Sequence, residues 1–168
     1  MVALNSAIDA YGAAADAWAA GPGRMYNALS RAVVAQCPVA LAGARVLDLG
    51  AGTGSASVAA SDLGADIIAV DGAIDMLRYD QHLRPPAAVG DARSLPVSSG
   101  SFDCVVAAFV LNHLDEPARA LREICRVLRP EGVVVASTYA AGWDIRPRLT
   151  STRSPPPMGS HPLSGIAA

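Results

Sequence analysis

One glycine cluster and three acids carry most of the chemistry this sequence can offer. The apolar run Val46-Leu47-Asp48-Leu49 enters Gly50-Ala51-Gly52-Thr53-Gly54, and a helix-forming stretch begins at Ser55. Glycines at alternate positions let a backbone turn sharply and pass close beneath a ligand where a side chain would collide. The helix amides that follow such a turn point at the ligand. A purely structural strand-to-helix turn needs the same residues, so the glycines by themselves leave both readings open. Their spacing is GxGxG, with Ser55 where a dinucleotide-type GxGxxG requires glycine, a poor fit to that fingerprint. Asp71 ends a second apolar run 21 residues beyond Gly50. A carboxylate there can accept hydrogen bonds from both hydroxyls of a ribose. Gly90-Asp91-Ala92 follows a third apolar run. Asp91 can accept from the amino group of a base there, or it can be an ordinary polar loop residue.

Further along, His113 is the one histidine placed to act as a base, just past a fourth apolar run. The competing reading is a histidine that packs and hydrogen-bonds within the fold. His82 and His161 have no supporting context. The aromatic residues Tyr11, Trp18 and Tyr26, with Arg24, fall in an alanine-rich N-terminal region. Ring faces there could attract a nearby cation, by about 0.5 to 2 kcal/mol, or could equally pack as core at helical spacing.

These groups need rigid elements to position them, and the sequence supplies the pattern of an α/β fold. An amphipathic segment over 8–20 is interrupted by Gly21-Pro22-Gly23 and resumes over 25–36, which predicts two helices ahead of a sheet. Short apolar runs at 45–49, 66–70, 87–89, 104–109 and 133–139 then alternate with helix-length segments. That alternation predicts a parallel sheet covered on both faces. The segment 55–63 stops at Gly64, and 116–128 sets Leu121, Ile124, Cys125 and Leu128 on one face before Pro130. After Tyr139 the chain turns rich in proline and serine and loses both periodicities, so an irregular tail is expected. The expected organisation is a helical lid over 1–38, a ligand-binding core over 39–144 and a tail over 145–168.

The ordered series of motifs resembles the class I S-adenosylmethionine-dependent methyltransferases. Val46 to Gly54 is followed by Asp71, by Gly90-Asp91-Ala92 with Leu95-Pro96, and by Ser101-Phe102-Asp103-Cys104-Val105-Val106. Asn112-His113-Leu114 and the run Leu121-Arg122-Glu123-Ile124-Cys125-Arg126-Val127-Leu128-Arg129-Pro130-Glu131-Gly132 complete it. The resemblance spans about residues 40–139 and is nearest to the small-molecule branch that includes the ubiquinone and menaquinone methyltransferases. It implies a Rossmann-like doubly wound sheet in the order 3-2-1-4-5 and S-adenosyl-L-methionine as cofactor. By the same resemblance, Asp48 and the Gly50, Gly52, Thr53 and Gly54 turn hold the methionine part. Asp71 takes the ribose with Met76 beside it, Asp91 and Ala92 take the adenine, and Ala108 faces the methionine ammonium or the sulfonium. Met76 and Ala108 can equally be plain core. In related enzymes the N-terminal helices resemble a lid.

The chain departs from the family near Trp143 and Asp144. Members continue with another helix and two strands, whereas 29 residues follow Tyr139 here. The expectation is a five-stranded sheet lacking the last two family strands, with an apolar edge at Val133, Val134 and Val135 free to self-associate. Three outcomes remain open on that basis: an active small-molecule methyltransferase, a cofactor-binding pseudoenzyme, and an inactive truncated product. The place of the Asn-Pro-Pro-Tyr pattern that accompanies amino-group acceptors is taken by Ala108-Phe109-Val110-Leu111-Asn112-His113.

Bulk properties agree with a folded domain acting on small molecules. The 168 residues are 52% hydrophobic and 17% charged, the balance of a packed core. Residues 1–144 hold 10 arginines against all 15 acids, so the core offers no basic surface for nucleic acid. Lysine is absent, and alanine, glycine, arginine and proline are frequent, the usage of a GC-rich bacterial genome. Cys37, Cys104 and Cys125 lie far apart in sequence without CxxC spacing, which points to buried free thiols rather than a disulfide framework or zinc site. Asp9 and Asp16 precede the first arginine, unlike a signal peptide, and no apolar stretch approaches membrane length. A cytoplasmic protein with no metal, no membrane and no nucleic-acid partner is expected.

Overall fold

In the computed structural model, residues 15–139 are described. The strands are β1 (Arg45–Leu49), β2 (Asp66–Asp71), β3 (Ala87–Val89), β4 (Phe102–Ala108) and β5 (Leu128–Ser137). They form one parallel sheet in the order β3-β2-β1-β4-β5, the expected order. The order reverses between β1 and β4, and the crevice beyond strand ends at such a switch point is where doubly wound sheets place ligands.

Strand alternation sorts the core into two layers. Leu47, Leu49, Val105 and Ala107 point to one face, where they meet Ala120, Ile124 and Val127 of helix α5 (Pro117–Val127). Val46, Cys104 and Val106 point to the other, against Val34 of α2 (Pro22–Val34) and Ala56, Ala59 and Ala60 of α3 (Ser55–Ser61). A short α1 (Ala15–Ala20) precedes α2, α4 (Ile74–Arg78) lies between β2 and β3, and a 3-10 turn, Leu111–His113, follows β4. No helix among the described residues is long and apolar enough to cross a membrane.

Several expectations need correction. Pro22 begins α2 instead of only interrupting the helical pattern, because its missing amide costs nothing at the first helical position. The buried stripe of α5 is Ala120, Ile124 and Val127, while Leu121 and Cys125 are exposed, so the apolar face had been set one residue too far along. β4 stops at Ala108 because Phe109 adopts a left-handed backbone, φ +61°. β5 starts at Leu128, which turns extended two residues before Pro130 and pairs with Phe102. Of the thiols expected to be buried only Cys104 is, with Cys37 half-buried and Cys125 exposed, and the Sγ atoms of Cys37 and Cys104 meet in space at 3.6 Å as free thiols. Burial pushes the Cys104 thiol up to about 12. The outer edge of β5 pairs with no other strand among the described residues, Val134 being exposed and Val135 buried. The segment 1–14, with Tyr11, and the tail from 140 onward lie outside the described residues.

Candidate functional site

The C-terminal ends of β1, β2 and β4 and the loop after β3 open onto a cleft of about 360 Å3. Asp48 reaches it from β1, in register with Ala69 of β2 and Val106 of β4. Its carboxylate is 2% exposed and accepts a hydrogen bond of 2.5 Å from Ser57 Oγ of α3. Burial pushes the Asp48 carboxyl up to about 6, with Ser57 pulling it partly back. Asp71, the last residue of β2, accepts from Gly52 N on Oδ2 and from Ala73 N on Oδ1, each at 2.8 Å. The glycine turn is thereby tied to the next strand while each oxygen keeps further acceptor capacity.

The glycines of the turn differ in duty. A Cβ on Gly50, φ +71°, would lie 2.4 Å from Cγ2 of Val110, so the chain leaving β4 closes directly over it. A Cβ on Gly52, φ +52°, would meet only the terminal methyl of Met76, at 3.4 Å, within the cleft. Gly54 is the N-cap of α3 and does not line the cleft. All the other site residues expected from sequence do line it: Asp48, Gly50, Gly52, Thr53, Asp71, Met76, Asp91, Ala92, Ala108 and His113. Met76 is also 4% exposed core, so lining and packing are one role there.

Asp91 is held by Arg93, whose Nε and Nη2 and backbone amide all donate to its carboxylate, and this lowers its pKa. The loop beyond is clamped from α5. Glu123 accepts from Leu95 N, and Arg126 donates to the carbonyls of Leu95 and Val97. Arg126 beside it holds the Glu123 carboxyl down to about 2. His113 stands exposed at the rim, and partial desolvation by the cleft wall lowers its imidazole below the ordinary value. It is therefore neutral, and able to accept a proton, at neutral pH. Arg24 is exposed and does not line the cleft.

Sequence reading missed several contributors. Arg84 donates from Nη1 to the Met76 carbonyl at 2.8 Å and from Nη2 to the Gly52 carbonyl at 3.0 Å, pinning α4 to the turn. Burial lowers the pKa of its guanidinium, and the charges of Asp48 and Asp71 only partly counter that cost. Nothing in the loop before β3 signals this role. Phe109, Val110 and Ser30 also line the cleft without a signal in the sequence, whereas Trp18 and Tyr26, singled out there, line it from α1 and α2.

A parallel sheet of this order, with a glycine turn after its first strand, defines a Rossmann-like α/β domain. Residues 47–136 match the model of the methyltransferase domain family. The chain belongs to that family, of the class I, Rossmann-like type. It is 38% identical over 112 residues to the demethylmenaquinone methyltransferase of Renibacterium salmoninarum, covering 66% of this chain and 47% of that one. It is also similar to an S-adenosylmethionine-dependent methyltransferase from Mesorhizobium loti (TM-score 0.58, 28% identity, 64% of this chain and 51% of the other). A further similar structure is the [4+2]-cyclase SpnF (TM-score 0.61, 30% identity, 70% and 48%). The chain spans less than half the length of the curated relatives it matches.

Proposed function

We propose that this cleft binds S-adenosyl-L-methionine and that the domain serves methyl transfer to a small-molecule acceptor. The observation that carries the reading is the convergence of Asp48 of β1, Asp71 of β2 and Asp91 of the loop after β3 on one cleft floored by the glycine turn. The donor set fits the cofactor: acids suit a ligand bearing an ammonium, a sulfonium, two ribose hydroxyls and an adenine amino group. The turn fits it too, since the space a Cβ would fill at Gly52 is left open toward the cleft.

On this reading Asp48 and the turn, Gly50 through Gly54 with Thr53 lining it, hold the methionine end. Asp71 takes the ribose, Asp91 and Ala92 the adenine, and the backbone at Ala108 faces the methionine ammonium or the sulfonium. Gly54 contributes by capping α3 rather than by contact. The bound cofactor supplies an electrophilic methyl group on a good leaving group. What the chain must add is alignment and exclusion of water. Helices α1 and α2 serve as the lid, bringing Trp18 and Tyr26 over the cleft. His113 at the rim takes the proton of an oxygen acceptor. The names of the relatives make a quinol-type ring acceptor the first class to test. Calorimetric titration of S-adenosylhomocysteine into wild type and Asp71→Ala tests the cofactor assignment. Loss of two charge-assisted hydrogen bonds should cost about 2 to 4 kcal/mol. Unchanged affinity in a folded variant contradicts it.

A further inference from the structure

Phe109 is an odd-numbered continuation of β4, and strand alternation would send its ring toward α5 with Val105 and Ala107. Instead it meets Tyr26 of α2, the helix whose Val34 packs on the opposite face of the sheet. The left-handed backbone at Phe109 makes that possible, a conformation that a bulky residue adopts only when its surroundings impose it. Ser137, at the end of β5, anchors the residue there: its carbonyl and its hydroxyl oxygen both accept from Phe109 N, at 3.2 and 3.1 Å. The ring stands edge-on to Tyr26, with centroids 5.1 Å apart and planes at 88°, and lies tilted against Tyr139 at 5.9 Å. Trp18 continues the row 5.0 Å beyond Tyr26, and the hydroxyls of Tyr26 and Tyr139 hydrogen-bond to each other. Two N-terminal helices and two strand ends thus meet in one aromatic wall. Phe109, Tyr26 and Trp18 line the same cleft as Asp48 and Gly52.

We propose that Phe109 is a specificity-determining residue: anchored by Ser137 at a left-handed exit from β4, with Tyr26 packed at right angles to it, its ring is the face on which a flat, conjugated acceptor ring stacks. The inference rests on the proposed transfer reaction. It adds why the acceptor is planar and which residue selects it. A wall of rings also excludes water, the second thing that methyl transfer requires.

1-Naphthol and its saturated counterpart decahydro-1-naphthol serve as probes, titrated by calorimetry into the whole chain with and without S-adenosylhomocysteine. Wild type should prefer the flat probe. Phe109→Leu keeps an apolar side chain without a π face, and it should bind 1-naphthol roughly tenfold more weakly and lose the preference. Its affinity for S-adenosylhomocysteine and its circular dichroism should stay within error of wild type. Phe109→Tyr should restore the preference. The proposal is overturned if wild type does not discriminate the two probes, if Phe109→Leu still does, or if naphthol and S-adenosylhomocysteine weaken together in that variant. Failure of S-adenosylhomocysteine to bind wild type overturns the cofactor assignment, while the naphthol arm without it still reads the wall.

Discussion

The two sides of the cleft are built by opposite means. On the acidic side, Asp48 and Asp71 sit at strand ends in ideal register, and backbone amides and Ser57 satisfy them with short hydrogen bonds. On the aromatic side, rings from α1, α2 and the exits of β4 and β5 meet only because Phe109 leaves the strand in a strained conformation. The acidic side is thus dictated by local sequence, since a register and a turn suffice to place it. The aromatic side depends on four segments arriving together. On the proposed reading the first kind of construction serves the cofactor and the second the acceptor, so single substitutions should alter acceptor binding more readily than cofactor binding.

The largest effect that would sharpen this contrast lies within the turn. Gly50→Ala puts a Cβ into Val110 at a left-handed φ. Left-handed strain and overpacking together should cost about 2 to 5 kcal/mol of stability, read by urea denaturation. Gly52→Val shares the left-handed strain, at φ +52°, but not the overpacking, so it should lose less stability than Gly50→Ala while abolishing binding of S-adenosylhomocysteine, because its branches enter open cleft space. Equal loss of stability in both variants would break the distinction between a packed glycine and a ligand-facing one.

A smaller effect follows from Asp48. Its folded pKa, about 6, lies above the ordinary 3.8 because of burial. The folded state therefore binds the proton more tightly than the unfolded one. This favours folding fully below pH 3.8, and the contribution is lost as pH rises through 6. Above that, the buried charge costs about 3 kcal/mol. Asp48→Asn should be more stable than wild type at pH 8, by up to that amount, and should flatten the pH profile of stability between pH 4 and 6. A cationic ligand needs the ionised form, so its affinity for wild type should fall as pH drops below 6. Calorimetry at pH 5 and pH 8 checks this, and a pH-independent affinity would show that Asp48 does not face the ligand's positive charge.

The same contrast explains what could be read from the sequence. The alternation of strands and helices, the glycine turn and the acids Asp71 and Asp91 were legible from periods and spacings along the chain, whereas the strand order and the role of Asp48 followed from the family resemblance. The apolar stripe of α5 was placed wrongly because Leu121 and Cys125 are apolar but exposed, while small Ala120 fills the contact at the sheet. Composition does not reveal which apolar residue faces inward. Arg84 and Phe109 were invisible for another reason. Arg84 bonds across 32 residues to Gly52, and Phe109 is anchored at its left-handed turn by Ser137, 28 residues further along in β5. Motif matching hid a distinction of its own. Asp103 and Arg129, both in the family pattern, pair with each other, and Asp103 also accepts from the amide of Arg45 at the start of β1, so they tie strand beginnings far from the cleft.

The central claim is that the acidic half is an S-adenosylmethionine site and not a site for another adenosine cofactor. Its most direct test is a calorimetric titration of the wild-type chain with S-adenosylhomocysteine in the absence and presence of excess NADH. The account predicts one site per chain whose affinity NADH leaves unchanged. Displacement by NADH, or no heat and no binding with S-adenosylhomocysteine, would contradict it.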